Sequence, residues 1–239
     1  MRSTERWIAP LAIGAAALTW AACASRPATS GVAPRTARMM AHFERAGQLH
    51  AAMAAGDLDS VQIQARWIAA NERGEDMPPK AQPYVEELHA FADLAARAPD
   101  QQSAARAVSR IGATCGSCHE SLNRGPRYQV AGGPPAGGSA LTTRMVRHRW
   151  AADRMWEGLI GPSDASWRAG AQVLRDAPLY TDALTTDVAR YEPVTKLAWT
   201  VHELGTRAVN ERDHSARAEL YGQLLGTCAR CHALLKGAH

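Results

Sequence analysis

Apolar residues recur every three or four positions along most of this chain, which is the spacing of one face of an α-helix. The residues at this spacing near the start of the pattern are Met39, His42, Phe43, Ala46, Leu49 and Met53. The sequence shows no sustained alternation of apolar and polar residues, the pattern typical of strands, and it is rich in Ala, Arg and Leu. The pattern predicts an all-α protein.

Capping and breaking residues predict where the helices begin. In the first half, one helix spans about 39–53, a second follows Asp57, a third begins near Pro83 and a fourth follows Pro99-Asp100. In the second half the same reasoning predicts helices over about 140–159, 163–176, 191–210 and 213–236. Helices of about 15–20 residues are roughly 22–30 Å long, which suits small antiparallel bundles.

The order of these features repeats on either side of a glycine- and proline-rich segment. Residues 129–138 contain four glycines and two prolines, a composition typical of a linker. Met39-x-x-His42 before this segment recurs as Met145-x-x-His148 after it, 106 positions later (145 − 39). Such self-similarity indicates a duplicated unit. The sequence therefore predicts two tandem four-helix bundles, over 36–128 and 139–239, whose linker transmits little packing between them.

The last helix of each half contains one pentapeptide, Cys-x-x-Cys-His. The two copies read Cys115-Gly116-Ser117-Cys118-His119 and Cys228-Ala229-Arg230-Cys231-His232. In this motif both thiols form thioether bonds to haem vinyl groups, and the adjacent imidazole becomes the proximal iron ligand. A single copy would also fit chance, a disulfide or half of a zinc site. Two copies, each preceded by Thr, predict two covalently bound haem c groups.

The N-terminal residues are typical of an export signal, which covalent haem attachment also requires. Two arginines precede an apolar run, Trp7–Ala22, that is short for a membrane span. Cleavage after Ala24 would release a soluble periplasmic protein, whereas Ala21-Ala22-Cys23 resembles a lipobox in which Cys23 becomes a diacylated first residue. We expect a signal peptide over 1–24 and a flexible tether over 25–35. Lipid modification is favoured because Cys23 is the one cysteine that the pentapeptides do not use.

The charge balance argues against nucleic acid as a partner. The formal net charge is +4, from 27 Lys and Arg residues against 23 Asp and Glu residues. Removal of the first 22 residues takes away two Arg and one Glu, which leaves +3 (4 − 2 + 1). This charge is small and dispersed, unlike the basic patches that contact phosphate backbones.

The pentapeptide at the end of each last helix resembles class II cytochromes c, the cytochrome c′ family. Few residues follow His232 in the sequence, and no Met lies between His119 and the linker. The resemblance extends over both halves and includes the Met-x-x-His pattern of the first helix and a basic residue after each motif, Arg124 or Lys236. It implies one haem inside each bundle, with its distal face toward the first helix and the basic residue near a propionate.

The sixth iron ligand has three alternatives. Residues three apart share a helix face, so either member of each Met-x-x-His pair is able to face the haem. Ligation by His42 and His148 is the leading interpretation, because His is the stronger partner for ferric iron. The resemblance also allows ligation by Met39 and Met145, or an apolar block that leaves the iron five-coordinate. Histidines without a repeated counterpart are expected to be surface or satisfied core groups: His50, His89, His202, His214 and His239.

These features favour a periplasmic electron-transfer protein that is not an enzyme and whose partners are redox proteins. Such a carrier needs no substrate site, because the iron changes oxidation state while the protein sets its potential. One alternative is an NO- or CO-binding protein like cytochrome c′, which requires an open sixth position. A di-haem peroxidase is a further alternative, but those enzymes resemble tandem class I cytochromes, with the motif early in each half.

Overall fold

The computed structural model describes residues 34–71, 77–130, 132–138, 140–179 and 192–236. The expected signal peptide and Cys23 lie outside the described residues, as do the tether before residue 34 and His239. Within the described ranges every regular element is a helix, which confirms the all-α fold class. None of the helices in these ranges combines the length and apolar character needed to cross a membrane.

The first half contains four α-helices, as its sequence pattern predicts. These are α1 (Pro34–Ala54), α2 (Leu58–Asn71), α3 (Gln82–Ala96) and α4 (Gln101–Ser121), with a short 3₁₀ turn at Pro79–Ala81 before α3. The four described helices of the second half are α5 (Leu141–Ile160), α6 (Asp164–Asp176), α7 (Glu192–Ala208) and α8 (His214–Lys236). The predicted boundaries are therefore confirmed to within a few residues.

Local capping explains where several helices begin. The Asp57 carboxylate accepts hydrogen bonds from the backbone N–H of Ser60 at 3.0 Å and from its hydroxyl at 2.7 Å, at the start of α2. Asp100 accepts from the Ser103 N–H at 2.7 Å and begins α4 in the same way. These bonds satisfy backbone donors that have no partner within the helix. Both aspartates were predicted from the sequence as N-terminal signals.

The helices of each half pack in chain order, and the longest interface joins the two halves through α4 and α8. The two helices run antiparallel, because the His214 imidazole near the start of α8 meets the Ala113 carbonyl near the end of α4 at 3.0 Å. Small residues permit the close approach: a Cβ at Gly222 would lie 2.8 Å from the Ser109 Oγ and 3.3 Å from the Arg106 Cα. This pair forms the centre of the molecule.

One continuous core therefore extends through both halves, contrary to the expectation that the linker transmits little packing. Buried residues of all eight described helices belong to this core, and the helices from α1 onward form one compact unit. Helix α8 is buried around most of its circumference, as expected for a helix with neighbours on every side. The expectation considered only the linker composition, whereas α4 and α8 make contacts that bypass the linker.

A buried polar cluster lies where α1, α5 and α8 meet. The His50 Nε2 lies 2.6 Å from the Tyr221 hydroxyl, which donates in turn to the Ala152 carbonyl at 2.7 Å. The Trp156 ring stacks on His50, with centroids 5.0 Å apart. His50 is 3 % exposed and Tyr221 is fully buried, so the Tyr221 hydroxyl satisfies His50 and the Ala152 carbonyl satisfies Tyr221. His50 is thus a satisfied core histidine, as expected.

This cluster predicts a loss of stability in mild acid. Burial, followed by the positive charge of Arg149, lowers the pKa of His50 from 6.5 to about 3. Below pH 6.5 the His50 side chain binds a proton in the unfolded chain, but in the folded protein it does so only near pH 3. The free energy of unfolding is therefore highest above pH 6.5 and falls as the pH approaches 3. The slope from this one group is at most about 1.4 kcal/mol per pH unit. Urea unfolding of the wild type and His50→Gln between pH 7 and pH 4.5 tests this; parallel pH profiles would contradict it.

Candidate haem-binding sites

The first pentapeptide occupies the C-terminal turns of α4. Cys115, Cys118 and His119 stand at positions i, i+3 and i+4 and therefore share one helix face. All three side chains are half-buried, which leaves their sulfur and ring atoms at the edge of the core. A flat apolar group attached here would cover this edge. The residues between the cysteines, Gly116 and Ser117, occupy other faces of the helix.

Hydrogen bonding orients the His119 ring. Its Nδ1 lies 2.6 Å from the carbonyl oxygen of Ile160, the last residue of α5. Because a carbonyl only accepts, Nδ1 carries the proton and Nε2 keeps its lone pair. Ligating histidines usually have this arrangement, in which the second ring nitrogen donates to a carbonyl or carboxylate and fixes the tautomer. The His119 imidazole therefore fits the role of a proximal ligand through Nε2.

The second pentapeptide has the same environment at the end of α8. The backbone of Ala54, the last residue of α1, lies beside His232. Ala54 is the repeat equivalent of Ile160 (160 − 54 = 106). Burial lowers the pKa of His232 more than the Ala54 backbone raises it, which favours the neutral imidazole that binds metals. Burial also raises the pKa of the Cys228 thiol to about 12, which favours the thiol form and disfavours the thiolate at neutral pH.

The first residue between the cysteines faces inward in both motifs. A Cβ at Gly116 would collide with the Leu159 carbonyl of α5, so only glycine fits there. The equivalent Ala229 is fully buried, and it packs against Gly56, where a Cβ would lie 2.7 Å from the Ala229 carbonyl. A close contact of this kind thus occurs in both halves. In the first half the glycine belongs to the pentapeptide, and in the second half it belongs to the segment that the pentapeptide contacts. Each motif is pressed against the end of a first helix.

A loop after α4 packs against the first motif. Gly125 adopts a φ of +125° and passes so close to the His119 ring that a side chain at this position would collide with it. The Lys80 amine donates to the Ser121 carbonyl at the end of α4. Tyr128 is half-buried, and its pKa is raised by burial, then by the charges of Glu157 and Cys115. No signal in the sequence beyond its glycine predicted this loop.

The distal candidates of the first half lie on the part of α1 directed toward the first motif. Helices α1 and α4 pack together, and the Gln101 amide at the start of α4 donates to the Gly56 carbonyl, just past the end of α1, at 3.1 Å. The two helices are therefore antiparallel, and the N-terminal turns of α1 extend toward the end of α4. His42 is buried there against the Trp67 ring, with centroids 5.3 Å apart, and Met39 is half-buried.

The distal candidates of the second half occupy the equivalent turns of α5. The His148 Nε2 lies 2.9 Å from the Ala177 carbonyl, just past α6, and burial lowers the pKa of His148. A nitrogen that donates to a carbonyl has no lone pair for a metal, so Nε2 ligation would require this bond to break. Met145 is half-buried one turn earlier on the same face. The two halves thus share their positions but differ in the contacts of the histidine.

The basic residues proposed for the propionates have different surroundings. Lys236 donates to the Ala55 carbonyl at 3.1 Å, next to the residue that contacts His232. Arg124 is exposed in the loop after α4. The Lys236 ammonium therefore lies beside the second motif, while Arg124 is close to the first motif along the chain.

Sequence reasoning missed the connection between the halves at these sites. The carbonyl that meets His119 belongs to α5, and the backbone group beside His232 belongs to α1. Backbone acceptors carry no side-chain signature, so only the duplicated motif and the register of the repeat pointed to this equivalence. The chain matches no protein-family model, no curated protein and no solved structure at a significant level.

Proposed function

We propose that this protein is a periplasmic di-haem c-type cytochrome that transfers electrons and is not an enzyme. Two tandem helical bundles would each hold one haem c, through Cys115 and Cys118 in the first half and Cys228 and Cys231 in the second. His119 and His232 would be the proximal iron ligands. The haems, when bound, would supply one-electron chemistry between ferric and ferrous iron. The partners would be periplasmic redox proteins, and lipid on Cys23 would hold the protein at a membrane.

The carrying observation is that the histidine of each motif lies against the last residue of a first helix, with a hydrogen bond of 2.6 Å in the first half. A Cys-x-x-Cys-His sequence alone specifies only the spacing of three residues. In the structure the His119 Nδ1 also lies 2.6 Å from a backbone carbonyl oxygen. His232 has the equivalent contact with Ala54. An axial ligand requires a fixed tautomer and ring orientation, and the contact of His119 with the Ile160 carbonyl supplies both in the first half.

The distal residues define what the carrier would do with its sixth position. Ligation by His42 and His148 would produce two six-coordinate irons and favour electron transfer over gas binding. One contact supports the second candidate function, an NO- or CO-binding protein. The His148 Nε2 donates to the Ala177 carbonyl, and while this bond persists only Nδ1 of that ring has a lone pair for the second iron. Met145 would be the other protein ligand of this repeat, and without either ligand the sixth position would be open to NO or CO.

Intact-mass spectrometry of the mature protein tests the cofactor assignment. The expected result is two haem masses that survive denaturation, together with the mass of the diacyl group on Cys23 and loss of the leader. Cys115→Ala with Cys118→Ala should leave one haem mass, and so should Cys228→Ala with Cys231→Ala. Ser117→Ala is the matched control, because it lies within the first motif without serving the attachment. Absence of covalent haem from the wild type would refute the proposed function.

Addition of CO to the ferrous protein separates the two candidate functions. An electron carrier with two six-coordinate irons should show little spectral change, because the protein ligand must first dissociate. Rapid binding at both haems would instead support the gas-binding protein, and binding to half of the haem would assign an open position to one bundle. The single-haem variants identify which bundle has responded.

A further inference from the structure

We propose that each half of this protein positions the proximal histidine of the other half, so that each haem site contains residues from both halves. We refer to this reciprocal arrangement as the exchange. The inference rests on the proposed haem function, because it assigns a role to the contacts of His119 and His232. The residues concerned are the C-terminal turns of α1 and α5. They act as positioning elements, through backbone carbonyls, and they do not touch the iron.

The first site depends on the end of α5. The Ile160 carbonyl accepts the Nδ1–H of His119 at 2.6 Å. The preceding residue, Leu159, presses its carbonyl against Gly116, inside the first motif. Gly161 ends the helix, and a Cβ there would lie 2.8 Å from the Pro126 carbonyl in the loop that packs against His119. Three successive residues of the second half thus contact the first motif or its loop.

The second site depends on the end of α1 in the same way. The backbone of Ala54 contacts His232, and the Ala55 carbonyl accepts from Lys236 at 3.1 Å. Gly56 follows with a φ of +70°, and a Cβ on it would lie 2.7 Å from the Ala229 carbonyl inside the second motif. Gln101 holds this turn through a hydrogen bond to the Gly56 carbonyl at 3.1 Å. Three successive residues of the first half therefore contact the second pentapeptide or the turn after it.

The exchange has a consequence for the electronic properties of each site. A carbonyl that accepts the Nδ1–H makes the imidazole more basic, and a more basic ligand stabilises ferric iron. Loss of this hydrogen bond should raise the reduction potential of the haem concerned. A substitution in the first half should therefore change the second haem, and a substitution in the second half should change the first.

Reduction potentials of full-length single-haem proteins test the exchange directly. Cys228→Ala/Cys231→Ala retains only the first haem, and Cys115→Ala/Cys118→Ala retains only the second. In each background we would introduce Gly56→Ala, Gly161→Ala and the control Gly47→Ala. Gly47 lies on α1 with nothing within 4 Å of a Cβ, so this control changes the same helix without contact. Far-UV circular dichroism verifies that each variant is folded.

Gly56→Ala should raise the potential of the second haem and leave the first unchanged. The expected change is about tenfold in the ferric–ferrous equilibrium constant, which is about 59 mV for one electron. Gly161→Ala should do the reverse, and Gly47→Ala should do neither. If Gly56→Ala prevents folding, Gln101→Ala replaces it, because it removes one bond to the turn and leaves the core intact. Changes confined to the haem of the mutated half, or no change, would overturn the exchange. Absence of covalent haem by mass would overturn the proposed function as well.

Discussion

Replacement of Trp167 by alanine is expected to lower the free energy of unfolding by about 3–5 kcal/mol, the cost of a large aromatic deletion in a core. Trp167 is fully buried on α6 and donates its indole N–H to the Ala208 carbonyl at 2.7 Å. Its ring meets Tyr221 edge-on, with centroids 6.3 Å apart. A Cβ at Gly158 would lie 2.8 Å from Trp167, so α5 and α6 approach too closely for the cavity to collapse further.

Trp199→Ala provides a matched control for this experiment. The Trp199 side chain is 50 % exposed on α7, and its truncation should cost less than about 1 kcal/mol. Urea unfolding of both variants, followed by far-UV circular dichroism, yields the two free energies without dependence on tryptophan fluorescence. Similar values for Trp167→Ala and Trp199→Ala would show that α6 is not held by this side chain. The continuous core would then require a different explanation.

The helices could be predicted from the sequence because their signals are local. Asp57 and Asp100 lie at helix starts as capping residues, and Pro83 lies in the first turn of α3, where its missing N–H has no cost. Helical spacing of apolar residues indicated most of the buried face of α1: Leu49 and Met53 are inaccessible, whereas Phe43, which the same spacing places on this face, is 53 % exposed. Each of these inferences depends on residues within one or two turns of one another.

The joining of the two halves could not be predicted, because its determinants are far apart in sequence. The close approach of α4 and α8 requires Gly222 opposite Ser109 and Arg106, and such complementarity is visible only when both helices are placed together. The glycine- and proline-rich linker suggested independence, but linker composition says nothing about surfaces elsewhere on the chain. The small residues within each last helix were the available signal for close helix packing.

The candidate sites were predicted only in part, because some of their determinants are also far apart in the sequence. The pentapeptides identified the two cysteines and the histidine of each motif, since the chemistry of attachment is local. The backbone groups beside His119 and His232 are more than 40 residues away in the sequence, and a backbone group has no residue type that would identify it. The register of the repeat identifies these backbone groups only when it is already known that a first helix ends beside the motif of the other half.

Substitution of His42 by alanine is expected to change the first haem from low-spin to high-spin and open it to CO. Helix α1 runs antiparallel to α4, so His42 lies on the turns directed toward the first motif, and its burial keeps it out of solvent. Under the proposed ligation, removal of the His42 imidazole leaves the sixth position vacant. Half of the haem absorbance should therefore show the high-spin spectrum, while the second haem retains the wild-type spectrum.

Variants of the neighbouring methionines determine which side chain is responsible. Met40→Ala is the matched control, because Met40 is 62 % exposed on the same helix and should have no spectral effect. His148→Ala tests the second haem, where ligation through Nε2 requires release of the Ala177 carbonyl. If both histidine variants retain the wild-type spectrum and Met39→Ala or Met145→Ala becomes high-spin, the ligand is Met and a higher potential is expected. A high-spin wild-type protein would contradict both forms of ligation and favour gas binding, because a vacant sixth position is what an external ligand needs.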